Sequence, residues 1–210
     1  GLGSDDIDEF AARVAAVEWE QIGRHSVMNA LAAIAAAAAV SVEPTTALAA
    51  LPAFRSARRR LERVGAPRGS TVYDDFAHHP TAIATTLAGL RARVGGARIL
   101  VGLEPRSNSM RLGAHADELA PSLRDADAVV FLQRPNLPWD AARVTAALAG
   151  RGETAPDVAA LVSRLAALAR PGDHVVFMSN GGFENAPRLF VVQAEAASHG
   201  APSQQPPEPS

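Results

Sequence analysis

The amino-acid sequence contains no cysteine and no lysine. Without cysteine, disulfides, thiolate zinc sites and cysteine nucleophiles are excluded, which is usual for proteins of a reducing compartment. All 20 basic residues are arginine, so Schiff-base chemistry and a phosphate-loop lysine are also excluded from this chain. We therefore expect a cytoplasmic protein.

The sequence also lacks a large excess of charge of either sign and a long hydrophobic run. The formal net charge is −2 at pH 7, so we expect no basic surface that attracts nucleic acid or anionic lipid. The most hydrophobic stretch, residues 30–42, is rich in alanine and too short to span a bilayer. With 210 residues and 48% hydrophobic content, the chain can bury one good core and carry a smaller attached unit. The composition predicts a globular protein that neither binds nucleic acid nor inserts into a membrane.

Three common site motifs are missing from the sequence. There is no Gly-x-x-x-x-Gly-Lys-Ser/Thr loop, no His-Glu-x-x-His pair and no Gly-x-Ser-x-Gly elbow. On its own, the chain has no obvious place to hold a nucleoside triphosphate, and we predict no metal site.

Short apolar runs separated by helical segments dominate the second half of the chain. Such runs are typical of buried parallel strands, and their alternation with helices favours an α/β fold with a sheet covered on both faces. The predicted strands are 70–73, 98–103, 128–132 and 173–178. The predicted helices between them are 81–94, 115–123, 140–148 and 157–169.

The first 57 residues have a different pattern. Residues 14–19 are typical of a strand, and residues 27–39 and 44–51 of two helices, with Phe54 as a core residue. Beyond residue 198, the chain is rich in proline, glutamine, serine and glycine, which predicts a disordered tail.

Two carboxylates and two imidazoles occur together in residues 73–81, where a strand gives way to a helix that can begin at Pro80. The carboxyl ends of strands are where α/β proteins place their ligands, so Asp75 and His78 are candidate site residues. The alternative is that an aspartate only caps the helix and the histidines are solvated.

The loops after two other predicted strands also carry polar side chains. Glu104 and Arg106 lie in the first loop, together with Asn108, and the planar guanidinium suits a carboxylate or phosphate ligand. Ser179 and Asn180 precede two glycines in the second loop, where backbone amides could approach a ligand. A solvated arginine loop and a tight β-to-α turn are the respective alternatives.

With these motifs in order, residues 17–192 resemble the carboxyl-terminal part of the Mur ligases, which use ATP to join amino acids or peptides to UDP-N-acetylmuramate. Residues 23–31 are similar to the family's Gly-x-His-Asn-x-x-Asn-Ala-Leu helix, residues 58–62 to its inter-domain arginine motif, and residues 74–80 to its Asp-Tyr-Ala-His-x-Pro motif. Residues 73–83, 104–110 and 178–183 are most similar to members that attach the tripeptide L-alanyl-γ-D-glutamyl-meso-diaminopimelate during peptidoglycan recycling. Members that attach L-alanine are the alternative.

The resemblance implies a Rossmann-like carboxyl-terminal domain at 58–197, preceded at 1–57 by a short helical remnant of a central ATPase domain. It implies that Asn29 contacts adenine, that Asp75 contacts the ribose and that Arg60 contacts the phosphates of ATP, with Mg also required in the complete enzyme. His78 would orient the catalytic loop. The candidates for the tripeptide's carboxylates and amine are Glu104, Arg106, Asn108, Ser179 and Asn180.

The implied chemistry is phosphorylation of the muramoyl carboxylate to an acyl phosphate, which the peptide's free amine then attacks. Ser26 stands where the family usually has asparagine, and residues 184–187 replace a glycine-rich continuation. Because the phosphate loop is missing, we expect this chain to be a fragment that does not turn over alone. The competing hypothesis is a noncatalytic α/β module that binds a small acidic peptide or nucleotide with the same loops.

Overall fold

The computed structural model describes residues 12–14, 16–17, 24–55, 58–106, 116–135 and 137–199. Two helices come first and six strands follow, most of them alternating with helices. The helices are α1 (Arg24–Ala39), α2 (Pro44–Ala50), α3 (Pro80–Val94), α4 (Ala116–Ser122), α5 (Ala142–Ala146), α6 (Val158–Leu168) and α7 (Ala186–His199). The strands are β1 (Glu62–Gly65), β2 (Thr71–Asp75), β3 (Ile99–Leu103), β4 (Ala128–Leu132), β5 (Gly152–Ala155) and β6 (His174–Met178).

All six strands form one sheet in the order β1-β2-β6-β3-β4-β5. The pairs β2–β6, β6–β3, β3–β4 and β4–β5 are parallel, whereas β1 lies antiparallel to β2 at one edge. The predicted α/β fold with a mostly parallel sheet is therefore confirmed. The parallel arrangement brings the carboxyl ends of β2, β3, β4 and β6 to the same edge of the sheet.

Helices cover both faces of the sheet, and each face has its own apolar cluster. On one face, α3, α4 and α5 pack with residues such as Leu87 and Leu119 against Val101 and Phe131. On the other face, α6 and α7 pack against the alternate strand residues, with buried side chains Val158, Leu161, Leu165 and Phe190. Successive strand residues point to opposite faces, so a strand buried on both sides must be apolar at every position. This requirement explains the continuous apolar runs in the sequence.

Gly102 in the middle of β3 allows α6 to lie close to the sheet. A Cβ atom at this position would be 3.0 Å from Leu165, 3.1 Å from Phe177 and 3.2 Å from Leu161. These distances are shorter than ordinary van der Waals contacts, so a larger residue would push α6 outward. Helix α6 packs against β3, and Glu104 directly follows β3, so the position of α6 affects the site.

The amino-terminal part differs from two expectations. Residues 12–14 are helical and residues 16–17 form a turn, with Ala16 N–H donating to Ala12 O at 3.0 Å, so the strand predicted at 14–19 is wrong within the described residues. Phe54 is 53% exposed and is not a core residue. The predicted helices 27–39 and 44–51 are confirmed as α1 and α2 and pack through a small apolar cluster of Val14, Ala30, Ile34 and Leu51. The tail predicted beyond residue 198 falls almost wholly outside the described residues.

Candidate functional site

A cavity of about 300 Å³ lies at the sheet edge where the parallel strands end. Glu104 directly follows β3, and Arg134 comes two residues after β4. Ligands of parallel α/β sheets bind at this edge because the loops that leave the strands converge there. The cavity is lined by Glu104, Pro105, Arg106, Leu132, Arg134, Leu137 and Glu184.

Glu104 and Ser179, predicted from separate loops, are brought into direct contact. The Ser179 hydroxyl donates a 2.6 Å hydrogen bond to Glu104 Oε2, and Gly181 N–H donates to the same hydroxyl oxygen at 3.0 Å. Glu104 is 5% exposed and Ser179 is fully buried. Ser179 therefore holds the Glu104 carboxylate in place through this hydrogen bond, and Glu104 lines the cavity.

Arg106 lies exposed at the cavity, with its side chain directly against the backbone of Gly181. A Cβ atom on Gly181 would be 2.3 Å from Arg106 Cδ and 2.4 Å from its Nε. Only glycine leaves room for this approach, which explains one of the two glycines in the loop after β6. Among the described residues, the Arg106 guanidinium makes no ion pair, and its side chain lines the cavity.

The amide of Asn180 has one unused acceptor. Its Oδ1 atom is buried and has no hydrogen-bond partner among the described residues. A buried acceptor without a donor is unusual in folded proteins and is satisfied when a ligand or water supplies one. Asn108, the remaining member of the predicted substrate set, lies outside the described residues.

Asp75, at the end of β2, is almost fully enclosed, with 3% of its surface exposed. Its Oδ1 atom accepts a 2.7 Å hydrogen bond from Ala77 N–H, and its Oδ2 atom accepts a 2.6 Å bond from Leu61 N–H. Burial raises the pKa of Asp75, and these two backbone hydrogen bonds oppose the rise. The carboxylate thus joins the segment before β1 to the turn after β2. It does not cap α3, because that position belongs to His79, whose Nδ1 accepts from Thr81 N–H at 3.4 Å.

His78 holds the same turn from the side. Its Nδ1 atom lies 2.8 Å from Phe76 O, and since a carbonyl can only accept, Nδ1 carries the proton. A hydrogen bond between His78 and nearby backbone is the arrangement expected for a residue that orients the loop.

The arginine cluster before β1 contributes through Arg59, which sequence reasoning did not select. Its Nε atom lies 3.0 Å from Asp74 Oδ2, and its NH2 group donates to Ser179 O at 2.7 Å. Burial raises the pKa of Asp74, and the neighbouring Arg59 opposes that rise. Arg59 thus connects the β2 end with the β6 end, whereas Arg60 is exposed. Asn29 is also exposed, on α1 in the helical part that precedes the sheet.

Arg134 is the second residue missed from the sequence, and it lines the cavity. Its guanidinium lies 2.5 Å from Glu184 Oε1 and 3.4 Å from Glu104 Oε1. Glu184 comes from the turn after β6, so this ion pair closes one side of the cavity between two loops. The only available signal was the position of Arg134 just after a strand end, where Glu104 and Ser179 also occur.

Neither a clustered metal site nor a membrane span is found in the part of the chain that the structure describes. No group of three or more histidine, cysteine, aspartate or glutamate side chains is arranged there to hold a metal ion. None of the described helices is long and apolar enough to cross a bilayer.

Comparison with protein families gives one match to this sheet and its loops. Residues 59–181 match the family described as Mur ligase, glutamate ligase domain. The chain belongs to the Mur ligase family. The resemblance expected from the arginine motif and from residues 74–80 is therefore confirmed, and the matched range includes Asp75, Glu104, Arg106 and Arg134.

Individual relatives within the family agree with this assignment. The chain is 52% identical over 172 residues to the UDP-N-acetylmuramate–L-alanyl-γ-D-glutamyl-meso-2,6-diaminoheptandioate ligase of Escherichia coli K12, covering 81% of this chain and 38% of that protein. A crystallised domain of a ligase with the corresponding name from Haemophilus ducreyi is 46% identical, with a TM-score of 0.56, over 64% of this chain and 99% of that one. A murein peptide ligase from Psychrobacter arcticus is 38% identical, with a TM-score of 0.66, over 85% of this chain and 38% of that one. The chain therefore spans well under half the length of the full-length relatives.

Proposed function

We propose that this chain forms the part of an ATP-dependent ligase that receives the tripeptide L-alanyl-γ-D-glutamyl-meso-diaminopimelate for attachment to UDP-N-acetylmuramate. Support comes from membership of the Mur ligase family and from the 52% identity to the Escherichia coli ligase, whose name states this peptide. Amide formation joins the muramoyl carboxylate to the free amine of the peptide's L-alanine. The contribution of this chain is to hold and orient that incoming peptide.

The observation that carries the proposal is the presence of two guanidiniums, Arg106 and Arg134, in one cavity at the carboxyl edge of the sheet. The tripeptide carries three carboxylates, whereas L-alanine carries one. Arginine's planar fork binds carboxylates in a bidentate manner, so two arginines suit a ligand with several carboxylates better than one with a single group. This charge pattern favours the tripeptide over L-alanine as the substrate.

Glu104 in the cavity and Asn180 in the loop after β6 suit the positive and polar parts of the same peptide. The Glu104 carboxylate can attract an ammonium group, with Ser179 holding it in place through the 2.6 Å hydrogen bond. The unpartnered Oδ1 atom of Asn180 can accept from a peptide N–H or an amine. In this proposal Glu104, Arg106 and Asn180 contact the peptide and Ser179 positions Glu104; Asn108 is retained as a candidate contact.

The residues predicted to contact ATP differ in their exposure. Arg60 and Asn29 are exposed and therefore free to approach the phosphates and adenine of ATP, which supplies the activation of the muramoyl carboxylate in the complete enzyme with Mg. Asp75 stays the predicted contact of the ribose; its carboxylate is 3% exposed and each oxygen accepts one backbone hydrogen bond, so a ribose hydroxyl would have to use the remaining acceptor sites. We propose that residues 1–57 and 58–197 belong to two different domains of that enzyme. A cytoplasmic location remains a prediction from the sequence.

Calorimetric titration of the purified chain tests the proposal. The tripeptide is titrated into the chain, and L-alanine serves as the matched ligand with a single carboxylate. Saturable binding of the tripeptide, tighter than that of L-alanine, is expected. Equal or tighter binding of L-alanine would assign the chain to the L-alanine-adding ligases, and binding of neither ligand would contradict the proposal.

A further inference from the structure

Arg134 contacts two carboxylates, those of Glu184 and Glu104, and the two contacts are unequal. Arg134 faces Glu184 at 2.5 Å and Glu104 at 3.4 Å. The Glu104 side chain is 7% exposed and is fixed by Ser179, whereas the Glu184 side chain is 58% exposed. Glu104 is therefore a permanent neighbour of Arg134, and Glu184 is a partner that can leave for solvent.

The backbone beneath Glu184 is held in an unfavourable conformation. Phe183, Glu184 and Asn185 have φ angles of 46°, 47° and 63°, in the left-handed region that residues with a Cβ atom rarely adopt. Phe183 is buried and packs edge-on against Phe177 with ring centroids 5.9 Å apart, which anchors the turn. The turn thus presents the Glu184 carboxylate to the cavity at a fixed place, despite the cost in backbone strain.

Arg134 has donors to spare in this arrangement. A guanidinium carries five N–H groups, and the contacts of Arg134 with Glu104 and Glu184 both use the same terminal nitrogen, NH2. The side chain of Arg134 is 35% exposed and lines the same cavity as Arg106. A carboxylate that enters the cavity can therefore meet Arg134 in a bidentate manner if Glu184 moves aside.

We infer that Glu184 is an internal stand-in for a substrate carboxylate: it pairs with Arg134 and is displaced when a carboxylate of the incoming peptide binds there. The inference rests on the proposed function, since it names the residue that receives one of the tripeptide's carboxylates. Arg134 is then a specificity-determining residue, and Glu184 weakens binding by competing for it. Ligands without a carboxylate in reach of Arg134 gain nothing from the exchange.

Affinity measurements on the ¹⁵N-labelled chain by NMR titration test this inference. Glu184→Gln keeps the length of the side chain and the strained backbone but removes the competing charge. It is expected to tighten tripeptide binding about two- to fivefold, because exposed ion pairs contribute up to about 1 kcal/mol, which is about fivefold in an equilibrium constant. Glu153→Gln is the matched control, because Glu153 forms a similarly exposed pair with Arg164 at 2.7 Å and is not among the cavity-lining residues. It should leave the affinity unchanged.

Arg134→Gln completes the double-mutant cycle. It should weaken tripeptide binding at least about tenfold, the effect of losing a hydrogen bond to a charged group, and in its presence Glu184→Gln should no longer tighten binding. Unchanged or weaker binding by Glu184→Gln alone would overturn the inference, and so would tightening that persists without Arg134.

A parallel titration with glutarate separates this inference from the proposed function. If glutarate binds more tightly to Glu184→Gln while the tripeptide does not bind at all, the stand-in role holds and the proposed substrate is wrong. If the tripeptide binds to the wild type but Glu184→Gln brings no gain, the substrate stands and the stand-in role is wrong. Failure of both ligands to bind to any variant contradicts both.

Discussion

Asp75 accepts a 2.6 Å hydrogen bond from the backbone N–H of Leu61, which precedes it by 14 residues. Leu61 belongs to the segment that leads into β1, and its φ angle of 49° shows that this segment turns sharply. Because the other oxygen of Asp75 accepts from Ala77, one buried carboxylate fixes both the entry to the sheet and the turn after β2. Arg59 adds a second connection, from the same segment to Asp74 and to Ser179 O. The segment before β1 is therefore held to the ends of β2 and β6 by charged groups that do not line the cavity.

We expect replacement of Asp75 to act first on stability. Asp75→Ala leaves the buried N–H of Ala77 and the partly buried N–H of Leu61 without acceptors, at a cost of about 1–3 kcal/mol for a buried group and less for the other. Asp75→Asn should be milder, because the amide keeps one acceptor oxygen. Urea unfolding of the chain measures both changes.

Asp157→Ala is a suitable control for Asp75. Asp157 caps α6 by accepting from Ala160 N–H at 2.7 Å in an exposed position, so its loss should cost only about 1 kcal/mol. If Asp75→Ala is no more destabilising than Asp157→Ala, the carboxylate does not hold the two segments together, and the ribose-binding role predicted from the sequence gains support.

The two neighbouring glycines after β6 should respond differently to alanine. Gly181→Ala places a methyl group 2.3 Å from Arg106 Cδ, so the Arg106 side chain must leave its position. Gly182→Ala is harmless by the same criterion, since nothing lies within 4 Å of its Cβ position and its φ angle is −68°. We expect only Gly181→Ala to weaken tripeptide binding. The unfolding free energy of Gly182→Ala should be close to that of the wild type. Equal affinities for both variants would show that the position of Arg106 does not matter.

Replacement of Arg106 by lysine should weaken binding of the peptide even though the charge is kept. A lysine ammonium does not reproduce the two parallel N–H groups of a guanidinium, and the loss of a charge-assisted hydrogen bond costs about 1.5–3 kcal/mol. The measurement is the dissociation constant of the tripeptide from each purified variant. Arg143→Lys, which changes an exposed arginine of α5 that is not among the cavity-lining residues, should leave that constant unchanged. If both variants bind equally well, Arg106 is only a solvated loop residue.

His174 should make the stability of the fold depend on pH. Burial lowers the pKa of His174 below 6.5, with Arg91 and Arg93 contributing to the shift, and the Tyr73 hydroxyl lies 3.1 Å from its Nδ1 atom. The folded state favours the neutral imidazole. The stability that His174 contributes is therefore complete above pH 6.5 and is lost as the pH falls through the lowered pKa. The wild type should therefore lose more unfolding free energy than His174→Asn as the pH is taken below 6.5. An imidazole pKa at or above 6.5 in an NMR titration would contradict this expectation.

The central strands could be predicted from the sequence because burial on both faces makes them continuously apolar. Residues 128–132 match β4 in full, and β3 and β6 each begin one residue after the predicted start. The edge strands β1 and β5 were missed, since Glu62–Gly65 and Gly152–Ala155 are largely polar and only partly buried. Their pairing depends on a neighbouring strand rather than on a pattern of their own. Helix α7 was also missed, although its buried residues Ala186, Phe190 and Ala194 recur every four positions, which is a helical signal.

The site was predictable only where it lies directly at strand ends. Glu104, Ser179 and Asp75 follow or end strands that the sequence indicates, so their neighbourhood could be expected. Arg134 also follows a predicted strand, but nothing in the sequence indicates its ion pair with Glu184, which is 50 residues away and comes from another loop. The choice between Arg59 and Arg60 likewise depends on the turn that directs Arg59 toward Asp74, which adjacent identical residues do not reveal.

The measurement that tests the central claim most directly is the location of the bound tripeptide on the ¹⁵N-labelled chain. The account predicts that the amide signals of Arg106, Gly181 and Gly182 shift in a saturable manner, together with the side-chain signals of Arg134. The chain offers an alternative cationic cavity between α4 and α5, lined in part by Arg124, Arg143 and Arg151. Shifts confined to that cavity, with the signals of Arg106 and Gly181 unchanged, would contradict the account.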